Sequence, residues 1–454
     1  MSERRIILHH AATVLVGQLA VMAFGLTDTW VAARYADTAL AALSVASATY
    51  ITVHISLMGI LQGLLPIWAE LHGAQRHEAL GRSVRQALYI WLLTSGIAVA
   101  LLLSPGPLLG WTGVPGELQT PVRDYLSIVA LSAPASLLFR LYGTLNQALG
   151  RPKLVTWLQV AALGVKVPLS LLLVLGWPGW FEPMGLAGCA WATVIVNHLM
   201  VAMAALMLRH GEIYRTMHLW RRPEAPHGPT LRSFLRLGVP SGLTIAVEVT
   251  SFTLVALFVA RLGVIASASH QIISNMAACL YMLPLSLAIA SSARISHWLG
   301  AGQPAQARHS LRMGLTLVLA GSACMALLVW LSRAAIAGFY TPSPTVLPVA
   351  TELLGWLALY HWVDGLQVFL VFALRCYRVT VRPLLTYSVL LWGVGLAGGY
   401  ALAYHSPSTW AAFGLARQSP LSFWQAAMLA LALTCLVLAP LLWRRSQSAS
   451  AASA

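Results

Sequence analysis

Apolar windows of about 20 residues recur through most of this chain, separated by short polar interruptions. The hydrocarbon core of a bilayer is about 30 Å thick, and a helix needs roughly 20 apolar residues to cross it. Charged residues make up 9% of the chain, whereas soluble proteins carry about 25%. The pattern therefore predicts an all-α polytopic membrane protein, and it excludes a soluble enzyme, a disordered chain and a disulfide-stapled secreted fold.

Twelve windows predict twelve transmembrane helices. Their approximate spans are 8–32, 40–66, 86–109, 124–148, 155–177, 184–208, 234–261, 266–296, 310–331, 347–374, 384–404 and 421–443. With both termini cytoplasmic, inner-side segments hold 21 of the 28 Arg and Lys residues and outer-side connections hold five. This asymmetry predicts a multi-pass protein of the inner (plasma) membrane. It also accounts for the net charge of +15 without a nucleic-acid partner.

A hydrophilic segment containing RRPEAPHGP lies near the midpoint of the chain. Residues 227 positions apart match across this midpoint, among them Gly73 with Gly300 and Ser83 with Ser310. Parallel six-helix repeats of this kind are typical of secondary transporters. The predicted organisation is an N-terminal six-helix bundle (1–208), a cytoplasmic linker (209–233), a C-terminal six-helix bundle (234–443) and a cytoplasmic tail (444–454).

Three carboxylates fall inside predicted spans, namely Asp28, Glu248 and Asp364. A carboxylate at that depth costs several kcal/mol unless it is protonated, ion-bound or facing a wet cavity, so each is a candidate functional residue. Tyr360 lies four residues before Asp364 and so shares its helix face. These side chains could ligate a hard cation such as Na⁺, act as proton carriers, or form a paired packing site.

Two basic residues, Lys166 and Arg140, also fall inside predicted spans. We expect Lys166 to pair with Asp28 in a cavity; the alternative is that it snorkels to an interface. His270 and His361 lie in apolar surroundings, where a hydrogen-bonded packing role is more common than a pH switch. The five cysteines show no metal-ligand spacing, and no nucleotide-binding or hydrolase motif is present, so neither a cofactor nor an enzymatic activity is predicted.

Three segments resemble the multidrug and toxic compound extrusion (MATE) family, in its NorM-like branch. They are LGVPSGLTIAVEVTSFTLVALFVARLG (Leu237 to Gly263), TDTWVAARYADTALAALSVA (Thr27 to Ala46) and YHWVDGLQVFLVFALRCYR (Tyr360 to Arg378). The likeness implies a V-shaped fold of two pseudo-symmetric six-helix bundles. It also implies a coupling-cation site at Glu248, Asp364 and Tyr360 and a carboxylate, Asp28, for substrate or protons in the N-terminal half.

The chain departs from the family pattern at two places. Where typical members have NxPLN in the fifth helix, this chain has KVPLS, which places Lys166 and Ser170 at two amide positions. The glycine of the LRGY motif is replaced by Cys376. The lysine is expected to neutralise Asp28 or to shift selectivity toward anionic or zwitterionic compounds.

The resemblance and the residues together predict an antiporter that exports organic cations and amphipathic drugs by alternating access. Its coupling ion is Na⁺ or H⁺, and its partners are drug-like small molecules and the lipid bilayer, with the protein acting as a monomer. A flippase or exporter of a lipid-linked or anionic precursor is the alternative, because Lys166 and Arg140 could meet a phosphate. An intramembrane enzyme is disfavoured because the acidic residues form no catalytic signature.

Overall fold

The computed structural model describes residues 2–106, 115–177, 179, 181–405 and 419–451, and their backbone is almost entirely helical. Within these ranges, eleven helical segments are long and apolar enough to cross a bilayer, and a bent pair of helices makes a twelfth. The prediction of an all-α protein with twelve spans is therefore confirmed. The end of the predicted third span, residues 107–109, lies outside the described residues.

Most of the spanning helices are longer than the predicted spans because they continue into polar flanking sequence. In chain order the helices are α1 (Glu3–Tyr35), α2 (Asp37–Gln62), α3 (Leu65–Gly73), α4 (His77–Leu103), α5 (Gly116–Ala130), α6 (Ser132–Ala148), α7 (Pro152–Leu175), α8 (Leu186–His210), α9 (Glu212–Arg215), α10 (Gly228–Ala260), α11 (Val264–Gly300), α12 (Pro304–Tyr340), α13 (Val346–Cys376), α14 (Val381–Val389), α15 (Gly398–His405) and α16 (Leu421–Ala451). A π-helical segment, Leu390–Ala397, joins α14 to α15.

Proline accounts for the main departure from straight spans. The predicted fourth span is a pair of helices, α5 and α6, that meet at Leu131 with a bend of 45°. Pro134 in the first turn of α6 has no N–H, and its ring crowds the carbonyl of Ala130, where α5 ends. Pro66 acts in the same way, because α2 ends four residues before it, at Gln62. The second span is thus divided into α2 and α3.

The predicted eleventh span is also irregular. Four glycines, at positions 393, 395, 398 and 399, lie in or beside its π-helical segment. Glycine weakens regular helix because it has the greatest backbone freedom, and π-bulges arise where the regular ladder is weak. The predicted linker and tail are partly helical: α10 begins at Gly228, and α16 continues through Arg444 and Arg445.

Contacts divide the chain into two compact units. The N-terminal unit comprises Thr13–Gly242, and the C-terminal unit comprises Met1–Ala12 together with Leu243–Ala454. In the N-terminal unit, α10 approaches α2 very closely: a Cβ on Gly238 would lie 2.7 Å from the carbonyl oxygen of Ile60. Only glycine fits such a contact, so these residues fix helix packing.

The core of the C-terminal unit is built mainly by α11, α12, α13 and α16, which pack against one another. The first residues of α1 belong to this core, because Ile7 and Ala11 pack with Leu287, Phe369 and Leu438. Ile7 and Leu438 are fully buried. The start of the chain therefore contributes to the packing of the unit formed by its second half.

The internal repeat is visible in a pair of equivalent turns, one in each half of the chain. α3 ends at Gly73 and α11 at Gly300, and in both places the same pattern of backbone hydrogen bonds closes the helix. The residue that adopts a left-handed conformation is Gln75 in the first turn (φ 56°) and Gly302 in the second (φ 69°). Both turns are Schellman caps, and they keep the separation of 227 residues found in the sequence.

Candidate functional site

An ion pair lies inside the N-terminal unit. Lys166 Nζ on α7 is 2.8 Å from Asp28 Oδ1 on α1, and the lysine side chain is 1% exposed. Lys166 therefore does not snorkel to an interface. The structure brings together the two side chains that the sequence hypothesis paired, while the role of the pair stays a prediction.

Polar groups of α7 and α8 complete the surroundings of this pair. Lys166 Nζ donates hydrogen bonds to Thr193 Oγ1 (2.7 Å) and to the Cys189 carbonyl oxygen (3.3 Å). Ser170 Oγ donates to Asp28 Oδ1 at 3.4 Å. A buried ion pair is stable only when its remaining donors and acceptors are satisfied, and these contacts meet that condition. Ser170 thus supports the pair from the KVPLS segment in which Lys166 lies.

The C-terminal unit holds the other two candidate carboxylates. Glu248 is half-buried on α10, and Asp364 and Tyr360 are buried on α13. Glu248 interacts electrostatically with Asp364, and both carboxylates interact with the Tyr360 phenol. The three predicted cation-site residues therefore form one cluster. No ion pair joins either carboxylate to a basic side chain within the described part of the chain.

Three residues of this cluster were not among the sequence candidates. Tyr281 on α11 and Tyr387 on α14 interact electrostatically with Glu248 and Asp364. Arg375 interacts electrostatically with Glu248. Arg375 is the penultimate residue of α13 and is 4% exposed. The only sequence signal for Tyr281 is the separation of 227 residues between the repeats, which pairs it with a polar residue of the first half.

Trp424 on α16 packs against the Tyr360 ring of this cluster. Its ring packs edge-on against Tyr360 with a centroid separation of 5.2 Å, and its indole nitrogen donates to His270 Nδ1 at 3.3 Å. His270 also contacts Ser274 Oγ through Nε2 at 3.2 Å, which agrees with the packing role expected for it. His361 differs, because its buried Nε2 has no hydrogen-bond partner among the residues described.

The cluster can hold a hard cation or a proton. Carboxylates and phenols supply the oxygen ligands that such cations prefer. Two carboxylates that interact across neighbouring spans repel each other when both are ionised. A bound cation relieves that repulsion. The nearby Arg375 supplies only one positive charge against two negative ones.

Each unit also contains a carboxylate–arginine pair near a helix start. Glu3 accepts two hydrogen bonds of 2.9 Å from Arg294 and one of 2.7 Å from Ser310. In the N-terminal unit, Glu224 accepts hydrogen bonds from Arg85, and these lower the pKa of Glu224 to about 2. The two pairs tie the first turn of α1 and the segment that precedes α10 to their units.

Comparisons with known proteins identify relatives over most of the chain. The chain is 37% identical over 424 residues to the probable multidrug resistance protein NorM of Aromatoleum aromaticum, covering 93% of this chain and 90% of that protein. It is 33% identical over 403 residues to the multidrug resistance protein PmpM of Pseudomonas aeruginosa, covering 88% and 84%.

Solved structures show the same fold. The eukaryotic MATE transporter AtDTX14 superposes with a TM-score of 0.86 at 16% identity, over 100% of this chain and 99% of that one. The Vibrio cholerae MATE transporter VcmN in the bent form gives 0.83 at 18% identity, over 100% and 98%. The MatE family model matches residues 14–172 and 240–401, which is most of the chain. The chain therefore belongs to the MatE family.

Proposed function

We propose that this protein is a multidrug efflux antiporter that exports organic cations and amphipathic drugs in exchange for Na⁺ or H⁺. The observation that carries the proposal is the cluster of two interacting carboxylates inside membrane-spanning helices, with Tyr360 beside them. The relatives named as multidrug resistance proteins support the class of substrate. No enzymatic step and no resident cofactor are part of this mechanism.

Glu248, Asp364 and Tyr360 bind the coupling cation in this mechanism. Binding neutralises the repulsion between the carboxylates and stabilises one conformation of the transporter over another. If that conformation has low drug affinity, cation binding and drug binding oppose each other, and an inward cation gradient drives drug release to the outside. Asp28 acts in the N-terminal half as a substrate or proton site, with its charge set by the adjacent Lys166.

The setting of this activity is the inner (plasma) membrane, which the monomeric protein crosses with both termini in the cytoplasm. The excess of Arg and Lys on the predicted inner side supports this orientation. Residues 1–208 and 234–443 supply the two bundles, joined by the cytoplasmic segment 209–233 and followed by the tail 444–454. Drug-like molecules and lipid are the partners, and nucleic acid is not.

The test is efflux from proteoliposomes under separately imposed Na⁺ and H⁺ gradients, with ethidium and norfloxacin as substrates. We expect one gradient to drive efflux by the wild type, and Glu248→Gln and Asp364→Asn to reduce it to background. Glu352→Gln is the matched control, because Glu352 is an exposed carboxylate on the same helix, α13. Wild-type protein that moves neither compound under either gradient would refute the proposal and favour export of an anionic precursor.

A further inference from the structure

The indole of Trp392 links the eleventh span, Val381–His405, to the helix that contains Glu248. Trp392 lies in the π-helical segment, and its Nε1 donates a hydrogen bond of 3.2 Å to the Val247 carbonyl oxygen on α10. Val247 is the residue immediately before Glu248. Lipid offers no acceptor for an indole N–H, so this bond is favourable in a membrane span. The turn of α10 that contains Glu248 is therefore held by the eleventh span.

Side chains on both sides of Glu248 contact the core that holds the candidate cation site. Val247 packs against the apolar cluster in which Tyr360 is buried. Phe252, four residues after Glu248, meets the Trp424 ring edge-on with a centroid separation of 6.3 Å, and Trp424 in turn packs on Tyr360. A rotation or translation of α10 at this turn would therefore move the Glu248 carboxylate relative to the site residues on α13.

Two tyrosines of α15 hold the last part of α10 as well. Tyr404 Oη donates a hydrogen bond of 2.7 Å to the Phe258 carbonyl oxygen. Arg261, the residue after α10, places its guanidinium carbon 5.3 Å from the centre of the Tyr404 ring and 6.0 Å from that of Tyr400. Arg261 Nη1 also donates to Tyr400 Oη at 3.4 Å. The eleventh span thus contacts α10 through three aromatic side chains, those of Trp392, Tyr400 and Tyr404.

The π-helical segment brings these three aromatic side chains onto one face of the span. Trp392 and Tyr400 are eight residues apart, which is about 2.2 turns of α-helix, so regular winding would separate them by roughly 80° around the axis. A π-helix closes i→i+5 hydrogen bonds and has more residues per turn, which brings this spacing closer to two full turns. Tyr404 lies about one turn beyond Tyr400 in α15. The irregular winding therefore aligns the donor beside Glu248 with the two tyrosines at the end of α10.

We propose that Trp392 is a positioning residue for the coupling-cation site. Its hydrogen bond to the Val247 carbonyl fixes the turn of α10 that contains Glu248, and so holds this carboxylate at the separation from α13 at which the cation binds. The π-helical segment serves this role by directing Trp392 toward α10. Trp392 acts through α10 and is not itself a cation ligand. This inference rests on the proposed efflux function and assigns a residue that sets its cation affinity.

The test compares two variants that each remove one aromatic donor between the same two spans. Trp392→Phe removes the bond next to Glu248, whereas Tyr404→Phe removes the bond to Phe258, which lies ten residues and about 15 Å farther along α10. We expect Trp392→Phe to raise the cation concentration for half-maximal thermal stabilisation by about fivefold. This factor corresponds to about 1 kcal/mol, the contribution of one hydrogen bond. Tyr404→Phe is expected to change that concentration by less than about twofold.

Melting temperatures of the purified protein in detergent supply the measurement. NaCl is titrated against choline chloride at constant ionic strength, and pH is varied in choline chloride. If the coupling ion is a proton, the fivefold change in Trp392→Phe appears as a midpoint about 0.7 pH unit lower than in the wild type. Both variants should melt at similar temperatures without the cation, because each loses one hydrogen bond and keeps its ring. Ethidium binding without the cation should differ from wild type by less than about twofold in both.

A third variant and the wild type complete the test. Trp330→Phe removes an exposed indole N–H on α12 and is expected to respond to the cation as the wild type does. Equal shifts of the cation midpoint in Trp392→Phe and Tyr404→Phe, or a midpoint in Trp392→Phe equal to that of the wild type, would overturn the inference. A wild type whose melting temperature responds to neither Na⁺ nor H⁺ would instead count against the cation-coupled function itself.

Discussion

In the N-terminal unit the Asp28 carboxylate lies 2.8 Å from an ammonium group, whereas in the C-terminal unit Glu248 and Asp364 interact with each other. The first carboxylate has a counter-ion built into the protein. The second pair has more negative charge than its single neighbouring arginine balances, and in the proposed mechanism a cation from solution supplies the balance. Two halves of a repeated chain thus meet the cost of intramembrane charge in different ways, and in the proposed mechanism only the second half binds an exchangeable ion.

The largest effect is expected from breaking the built-in pair. Lys166→Met leaves a buried carboxylate without its counter-ion, which should lower the free energy of unfolding by about 3–5 kcal/mol. The double variant Asp28→Asn with Lys166→Met should recover most of that loss. Thermal melting of purified protein in detergent measures both. A single variant as stable as the wild type would show that the pair contributes little.

Removing a carboxylate from the C-terminal cluster should act on ion binding. A cation present at 100 times its dissociation constant stabilises the protein by about 2.7 kcal/mol. We expect the wild type to melt at higher temperature with the coupling cation, and Asp364→Asn to lose this response while keeping its stability without cation. Titrations with NaCl against choline chloride, and with pH in choline, identify the ion. An unchanged response in Asp364→Asn would place the cation elsewhere.

The two carboxylate–arginine pairs near the helix starts differ in burial. The side chain of Glu3 is 12% exposed and that of Glu224 is 40% exposed. Because water screens the exposed pair more, Glu3→Gln should cost about 1–3 kcal/mol and Glu224→Gln less than about 1 kcal/mol. Glu78→Gln, at a side chain that is 80% exposed, is the control. Equal melting temperatures for the two variants would contradict this ranking.

The equivalent turns after α3 and α11 have different residues at the left-handed position, so each residue can be replaced by the one found in the other turn. Gln75 adopts a left-handed conformation that strains a residue with a Cβ, while Gly302 adopts it freely. Gln75→Gly should raise the free energy of unfolding by up to about 1 kcal/mol, and Gly302→Gln should lower it by a similar amount. Opposite shifts in melting temperature would support the equivalence of the two turns. Shifts of the same sign would argue against it.

The smallest effect concerns pH. The hydrogen bonds from Arg85 lower the pKa of Glu224 from 4.5 to about 2. The folded protein therefore holds this carboxylate ionised more firmly than the unfolded chain does, and the stabilisation is fully present above pH 4.5. It is lost as the pH falls through about 2. Wild type and Glu224→Gln should differ in stability at pH 6 and converge at low pH.

Much of the fold follows from sequence because membrane spans obey a strong physical rule. Twelve apolar windows predicted twelve spans, since a helix is the form in which an isolated segment satisfies its own backbone in lipid. The presence of a proline alone does not determine whether a helix ends. Pro134 separates α5 from α6, whereas Pro240 and Pro284 lie within continuous helices. Local chemistry did not distinguish these cases, because packing decides whether a helix continues past a proline.

The site could be predicted only in part for a similar reason. The cost of a charge in lipid singled out Asp28, Glu248, Asp364 and Lys166, and it correctly suggested that Lys166 meets Asp28. It did not single out Arg375, since an arginine at the end of a span reads as a loop residue until its burial is known.

The chain has only two lysines, Lys153 and Lys166, among its 28 basic residues. Lys153 is exposed, and Lys166 is enclosed with Asp28. An amine-reactive reagent should therefore acylate Lys153 readily and reach Lys166 only when that enclosure opens. Mass spectrometry of the two peptides, with Lys153 as internal standard, would then report how often the Asp28 site opens in each ionic condition, without any engineered label.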